Sequence, residues 1–241
     1  MAIKTVIFDL DGTVTDSGPG ILKSVRYALE KSGRQVENLE ELRGFIGPPL
    51  AAEFEKYCGI SREESYRLGG YYREYYSEKG LFDNQVYEGL KETLERLADH
   101  GFTLAIATSK PEYFARIIAE HFGFADCFSY IGGAQMDGSR TDKQEVIEYV
   151  LETLKVEDRK EALMVGDRSY DMIGAKKAGL YSLGVLYGYG SRGELVDAGG
   201  RDTAGSGGYH PEICRKLDLT KIYPDTRMIF TSSPYNKDSV G

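Results

Sequence analysis

Cysteine is scarce in this chain of 241 residues: Cys58, Cys127 and Cys214 are odd in number and widely separated. That spacing argues against a disulfide framework and a thiolate zinc site, and fits reduced thiols in a cytoplasmic protein. Histidine is equally rare, and His100, His121 and His210 lack ligand spacing, so any metal here is expected on oxygen ligands. Long apolar runs are missing, and none approaches the roughly 18 residues that cross a bilayer. The stretch from Met1 to Asp9 lacks the basic and long apolar regions of a signal peptide. An excess of basic residues is missing too. With 30 Lys+Arg against 38 Asp+Glu, the net charge of −8 is wrong for a chain that works by neutralising a nucleic-acid backbone. The expectation is a soluble, cytoplasmic protein with neither a nucleic acid nor a membrane as partner.

What is present is ordinary globular material: 41% hydrophobic and 28% charged residues. The length suits one large domain, or a core with a smaller unit attached. Short β-rich apolar runs recur at Thr5–Phe8, Thr103–Thr108, Ala162–Gly166 and Tyr181–Val185, with a weaker one at Phe128–Gly132. Helical patterns at Gly89–His100, Pro111–His121, Lys143–Leu154 and Ser169–Ala178 alternate with them. This alternation predicts an α/β, Rossmann-like fold with a parallel sheet covered on both faces.

One interval breaks the rhythm. A plain crossover between parallel strands takes about 30 residues, but Asp9 and Thr108 lie more than three times that far apart. The surplus is helical in pattern at Gly20–Ser32, Pro49–Tyr57 and Arg62–Gly80, and holds the aromatic run Tyr71 to Tyr76, read as helix packing. The predicted division is therefore an α/β core of residues 1–15 and 84–198, an inserted helical domain of residues 16–83, and a tail of residues 199–241. Glycine crowds Gly199–Gly208 in that tail, and Arg227–Ser232 is its one strand-like run.

In an open parallel sheet, ligands bind outside the carboxyl ends of the strands. There the sequence places Asp9-Leu10-Asp11-Gly12-Thr13, Thr108-Ser109-Lys110, Gly166-Asp167-Arg168 with Asp171, and the helix start Thr141-Asp142-Lys143. Crowded carboxylates repel one another unless a cation joins them, and hard oxygen donors suit Mg2+. Asp9 can attack phosphorus to form an aspartyl phosphate, dividing one hard displacement into two easier ones. Asp11 can protonate the leaving oxygen and later take a proton from water. Thr108 and the Ser109 amide can bind phosphoryl oxygens, and Lys143 can stabilise the transition-state charge, with Lys110 and Arg168 as further positive groups.

These four motifs, in this order, resemble those of the haloacid dehalogenase-like hydrolases, and more narrowly of their phosphoglycolate-phosphatase-like branch. The resemblance covers residues 3 to 198. It implies a nucleophile at Asp9, an acid/base at Asp11, phosphate contacts from Thr108, Ser109 and Lys143, and Mg2+ on Asp9, Asp167 and the Asp11 carbonyl. Asp171 is implied either as support for the metal or as the partner of the lysine. The helical insert matches the branch's cap, where Arg43 and Phe45 are substrate candidates. The tail departs from the strand and helix with which this branch usually closes.

The implied activity is Mg2+-dependent hydrolysis of a small phosphomonoester, such as phosphoglycolate or a nucleoside monophosphate. Asp11 argues against a dehalogenase, since carbon–halogen cleavage needs no acid for an alkoxide. A phosphonatase would need a Schiff-base lysine from the insert, and nothing marks Lys23, Lys31, Lys56 or Lys79 for that role. A phosphomutase or pyrophosphatase shares the motifs, and a regulatory binding protein that has lost catalysis is the alternative from another class.

Overall fold

The computed structural model describes residues 3–199, together with the backbone of 201–202 and 228–231. Its first strand, β1 (Thr5–Phe8), is central in the sheet and buried along its whole length. It pairs in parallel with β2 (Thr103–Pro111) on one side and β4 (Ala162–Gly166) on the other, so that Ile7 faces both Ala105 and Met164. β3 (Tyr130–Ala134) extends the sheet beyond β2, and β5 (Tyr181–Val185) extends it beyond β4, both in parallel.

Successive side chains of a strand point to opposite faces, and here both faces are covered. Ile7, Ala105, Ala107 and Met164 pack with Val146, Ile147, Val150 and Leu151 of α6 (Lys143–Thr153) and Ala175 and Ala178 of α7 (Ser169–Ala178). Val6, Phe8, Leu104, Ile106 and Leu163 pack the other way, with α4 (Leu90–Asp99) and α5 (Glu112–His121). The strand order β3-β2-β1-β4-β5 changes direction at β1. The carboxyl ends of β1, β2 and β4 therefore meet at a topological switch point, where a crevice forms.

The five strands of the core are parallel, as the sequence reading has it; beyond them β7 (Met228–Thr231) pairs antiparallel with β5, and β6 (Arg201–Asp202) pairs antiparallel with β7. The expected run Arg227–Ser232 thus contains a strand, while the remainder of the tail lies outside the described residues. The weak run at 128–132 forms its strand two residues later, because Ala125–Cys127 coils into a 3-10 turn that carries the chain to the sheet edge.

Between β1 and β2 the surplus chain is helical: α1 (Gly18–Lys31), α2 (Leu50–Cys58) and α3 (Arg62–Tyr75), with a 3-10 segment at Leu39–Phe45. α1 buries Ile21, Leu22, Val25, Ala28 and Leu29, the single stripe expected of an amphipathic helix. The Ser61 hydroxyl accepts from the Glu64 amide at 3.2 Å and starts α3. The helix then widens into one π turn at Tyr76–Gly80. Lys31 lies over the Tyr71 ring and Tyr75 packs on Tyr27, as packing predicts, but Tyr72 and Tyr76 turn inward toward the strand ends.

The core is closely filled around β1. Phe8 is 1% exposed and meets Phe128 edge-on at 6.1 Å. Phe8→Ala should lower stability by about 3–5 kcal/mol, visible as a lower urea midpoint with an unchanged slope.

Candidate active site

β1 ends in a tight turn where the Val14 amide donates to the Leu10 carbonyl at 2.9 Å and Gly12 takes a φ of +86°. A side chain at residue 12 would be strained there and would collide with the Asp167 carboxylate. The turn thereby brings Asp9 and Asp11, at the end of β1, against Asp167, at the end of β4. Thr13 donates to Asp167 Oδ1 at 3.2 Å, and the Tyr189 amide donates to its Oδ2 at 2.7 Å.

Lys143 opens α6, whose first turn is held by the Asp142 carboxylate accepting from the Gln144 amide at 2.8 Å. Its ammonium lies 2.7 Å from Asp9 Oδ1 and 2.9 Å from Asp171 Oδ1, and donates to the Ala107 carbonyl at 3.1 Å. Asp171 is also fixed through Oδ2, which accepts from the Arg168 amide at 3.0 Å. A Cβ at Gly166 would occupy the space of the Asp171 carboxylate, so glycine is what allows the acid this close to the strand end. Both oxygens of Asp171 are thus engaged, one of them by the lysine. Of the two roles the sequence left open for Asp171, these contacts fit the lysine partner, and its place in the cluster of three acids fits support of a metal as well.

The buried acids feel one another. Burial pushes Asp9 up to about 6, with Asp171 adding to the rise and Lys143 opposing it. Burial, then Asp171 and Asp9, push Asp167 up to about 8. Burial alone would lower Lys143, but Asp171 and Asp9 outweigh it and hold the ammonium above the usual lysine range. Oxygen atoms of Asp9, Asp167 and Asp171 all lie within 4.8 Å of one another. A hard divalent cation suits this all-carboxylate donor set and would remove the repulsion that raises Asp9 and Asp167.

Thr108 is buried at the end of β2 and accepts from the Lys110 amide at 3.2 Å. The ladder between β2 and β3 shifts register between Thr108 and Pro111, and bulges of this kind re-aim side chains. Here the bulge places Ser109 and Lys110 on the wall of a cavity of about 390 Å³ whose floor reaches Asp11. The Lys110 ammonium is 2.7 Å from Asp11 Oδ1 and donates to the Tyr76 hydroxyl at 2.7 Å.

The insert forms the opposite wall with Phe45, Pro48, Pro49, Tyr66 and Tyr72. Phe45, a substrate candidate from the sequence, lines this wall and packs on Phe54 at 4.9 Å. Arg43 does not line the cavity. Its guanidinium pairs with Glu40 at 2.9 Å, is 53% exposed, and faces the Tyr189 ring, because the 3-10 turn points residues 43 and 45 to different sides. Arg168 does not turn to the acids either: it donates to the Ile46 carbonyl of the insert and to Glu194 at 2.9 Å. Tyr72 and Tyr76 were missed as cavity residues. Only their i, i+4 spacing inside an aromatic run hinted at a shared face.

The model of the haloacid dehalogenase-like hydrolases matches residues 6–185, from β1 through β5. The chain belongs to this family. A 5'-nucleotidase of Pseudomonas aeruginosa is 43% identical over 190 residues, 79% of this chain and 86% of its own. Tyrosine-protein kinase PtkA of Mycobacterium tuberculosis is 40% identical over 195 residues, 80% of this chain but only 65% of its own. A phosphoglycolate phosphatase of Vibrio parahaemolyticus is 32% identical over 208 residues, 83% of this chain and 90% of its own. The crystal structure of a predicted phosphatase from Clostridium acetobutylicum superposes with a TM-score of 0.81 at 47% identity, covering 83% of this chain and 92% of that one.

The raised acids set a stability trend. Because Asp9 and Asp167 keep protons in the folded state that the unfolded chain releases near 3.8, their contribution is full below that pH and is lost as pH rises through about 6 and about 8. In chelator, the melting temperature should fall between pH 4 and 8. Excess divalent cation, or Asp167→Asn, should flatten that fall in thermal scans across the range.

Proposed function

We propose that the protein is a Mg2+-dependent phosphatase that hydrolyses a small phosphomonoester through an aspartyl phosphate at Asp9. One observation carries the proposal: a buried carboxylate held 2.7 Å from a buried ammonium, with a second acid two residues on at the floor of a cavity. Lys143 orients Asp9 and offsets charge as the phosphoryl group arrives. Thr108 and Ser109 supply a hydroxyl and a backbone amide for phosphoryl oxygens. Asp11 gives its proton to the leaving oxygen, then takes one from the water that opens the intermediate. Asp9, Asp167 and the Asp11 carbonyl would hold Mg2+, which supplies charge neutralisation for the phosphoryl group.

The cavity volume lies in the usual range for small-molecule sites, and its rim of Phe45, Pro49, Tyr66 and Tyr72 is largely apolar. A nucleoside monophosphate fills such a space better than phosphoglycolate, and relatives bearing both names support this substrate class. In this reading residues 16–83 act as a cap over a core of residues 1–15 and 84–198, and the site lies between them. No helix among the described residues is long and apolar enough to cross a membrane. The partner in this reading is a small phosphorylated metabolite in the cytoplasm.

Phosphate release from nucleotides, phosphoglycolate, sugar phosphates and pyrophosphate, measured with Mg2+ and with chelator, tests the proposal. Turnover of at least one monoester that stops in chelator is expected, and no release from any ester by the folded, metal-loaded protein contradicts it. Asp9→Asn should lower kcat roughly a thousandfold or more while the protein stays folded.

A further inference from the structure

Lys110, expected from the sequence only as a further positive group, has no step in the mechanism proposed above, yet it is among the most constrained cations in the described residues. It sits on the β2 bulge with 8% of its surface exposed, and its ammonium bridges two elements far apart in sequence. On the core side it pairs with Asp11 Oδ1 at 2.7 Å. Among the described residues, no other side chain pairs with the Asp11 carboxylate. On the insert side it donates to the Tyr76 hydroxyl at 2.7 Å and lies 5.0 Å from the centre of that ring. Tyr76 is itself fixed: it is 2% exposed, stacks on Tyr72 at 5.0 Å, and meets Phe114 edge-on at 5.5 Å.

We propose that Lys110 is a positioning residue for the acid Asp11, and that the Tyr76 phenol, by holding Lys110, couples the helical insert to protonation of the leaving group. This rests on the phosphatase reading above. In the first half-reaction the Asp9 oxygen–phosphorus bond forms as the bond from phosphorus to the leaving oxygen breaks. The proton on the Asp11 carboxyl passes to that oxygen, giving a free alcohol, an aspartyl phosphate and an Asp11 carboxylate. Lys110 keeps its own protons throughout. Its charge stands beside the carboxylate as that charge forms, so the interaction is stronger in the transition state than before it. It also holds one carboxyl oxygen still, which leaves the other free to face the leaving oxygen. Tyr76 takes part because an ammonium on a four-carbon stem is otherwise free to swing. Displacement of the π turn from the strand ends would release that hold.

The consequence is selective. An ester whose leaving oxygen departs readily as an anion needs little help from Asp11, whereas an alkyl ester needs it fully. The test measures kcat/KM, which reports the first half-reaction, for p-nitrophenyl phosphate and glycerol 2-phosphate in the wild type, Lys110→Met, Lys110→Arg and Tyr76→Phe. Lys110→Met is expected to lose about 100-fold on the alkyl ester, the scale of general acid catalysis, and less than about fivefold on the aryl ester. Lys110→Arg should recover part of the alkyl activity, and Tyr76→Phe should lose about fivefold on the alkyl ester alone, the scale of one hydrogen bond. If Lys110→Met does not fold, Tyr76→Phe carries the same comparison. Parallel losses on both esters, or no loss on either, overturn the role of Lys110 while leaving the phosphatase reading intact. No turnover of either ester by the wild type overturns both.

Discussion

Everything in this structure that bears on chemistry depends on one buried ammonium shared between two buried carboxylates. The side chains of Lys143, Asp9 and Asp171 are 5%, 5% and 1% exposed, so none of them has water to solvate its charge. Removing one partner from such a cluster leaves an uncompensated charge and costs about 3–5 kcal/mol. The fold is arranged around that requirement. The strand order brings the ends of β1, β2 and β4 together, α6 begins where its first residue can reach between them, and Gly166 makes room for Asp171. One lysine balances two acids, and Asp167 is left over. That imbalance is the physical reason the site fits a divalent cation.

Much of the fold was legible because short β-rich runs alternate with helical patterns, and two of those runs, β1 and β4, lead straight into acids. Thr5–Phe8, Ala162–Gly166 and Tyr181–Val185 form strands with the bounds their β-rich runs predict. The helical insert was legible from the length of the interval between the first two strands. Asp9, Asp11 and Asp167 follow strand ends, Lys143 starts a helix, and Thr108 and Ser109 lie near the end of β2, so their placement at one edge rests on local information. What escaped depends on side-chain direction and long-range pairing. No periodicity shows that a bulge after Thr108 turns Lys110 onto Asp11, or that a π turn delivers Tyr76 to meet it. Arg43 and Arg168 were natural candidates by charge, but their partners Glu40, Glu194 and Ile46 are set by geometry that the sequence does not display. The antiparallel edge was hidden for the same reason, since a strand-like run does not state its direction.

Three of the ties between the helical insert and the core begin at residues that touch or adjoin the acids. Lys110 reaches Tyr76, and Arg168, which follows Asp167, reaches Ile46. The third is Tyr189, whose amide holds Asp167 while its hydroxyl accepts from the Gly18 amide at 2.6 Å and donates to Asp16, where the chain leaves β1 for the insert. Groups that contact the acids therefore also set where the insert lies, so the cavity wall and the charge cluster are parts of one network.

The central claim is that Asp9 becomes covalently phosphorylated. Borohydride reduces an acyl phosphate to an alcohol, so quenching the Mg2+-loaded enzyme with borohydride during turnover and mapping its peptides by mass spectrometry reads this directly. Conversion of Asp9 to homoserine, dependent on substrate and absent without it, is the expected result. Steady release of phosphate with Asp9 unchanged, or with the modification on Asp11 or Asp167 instead, would contradict it.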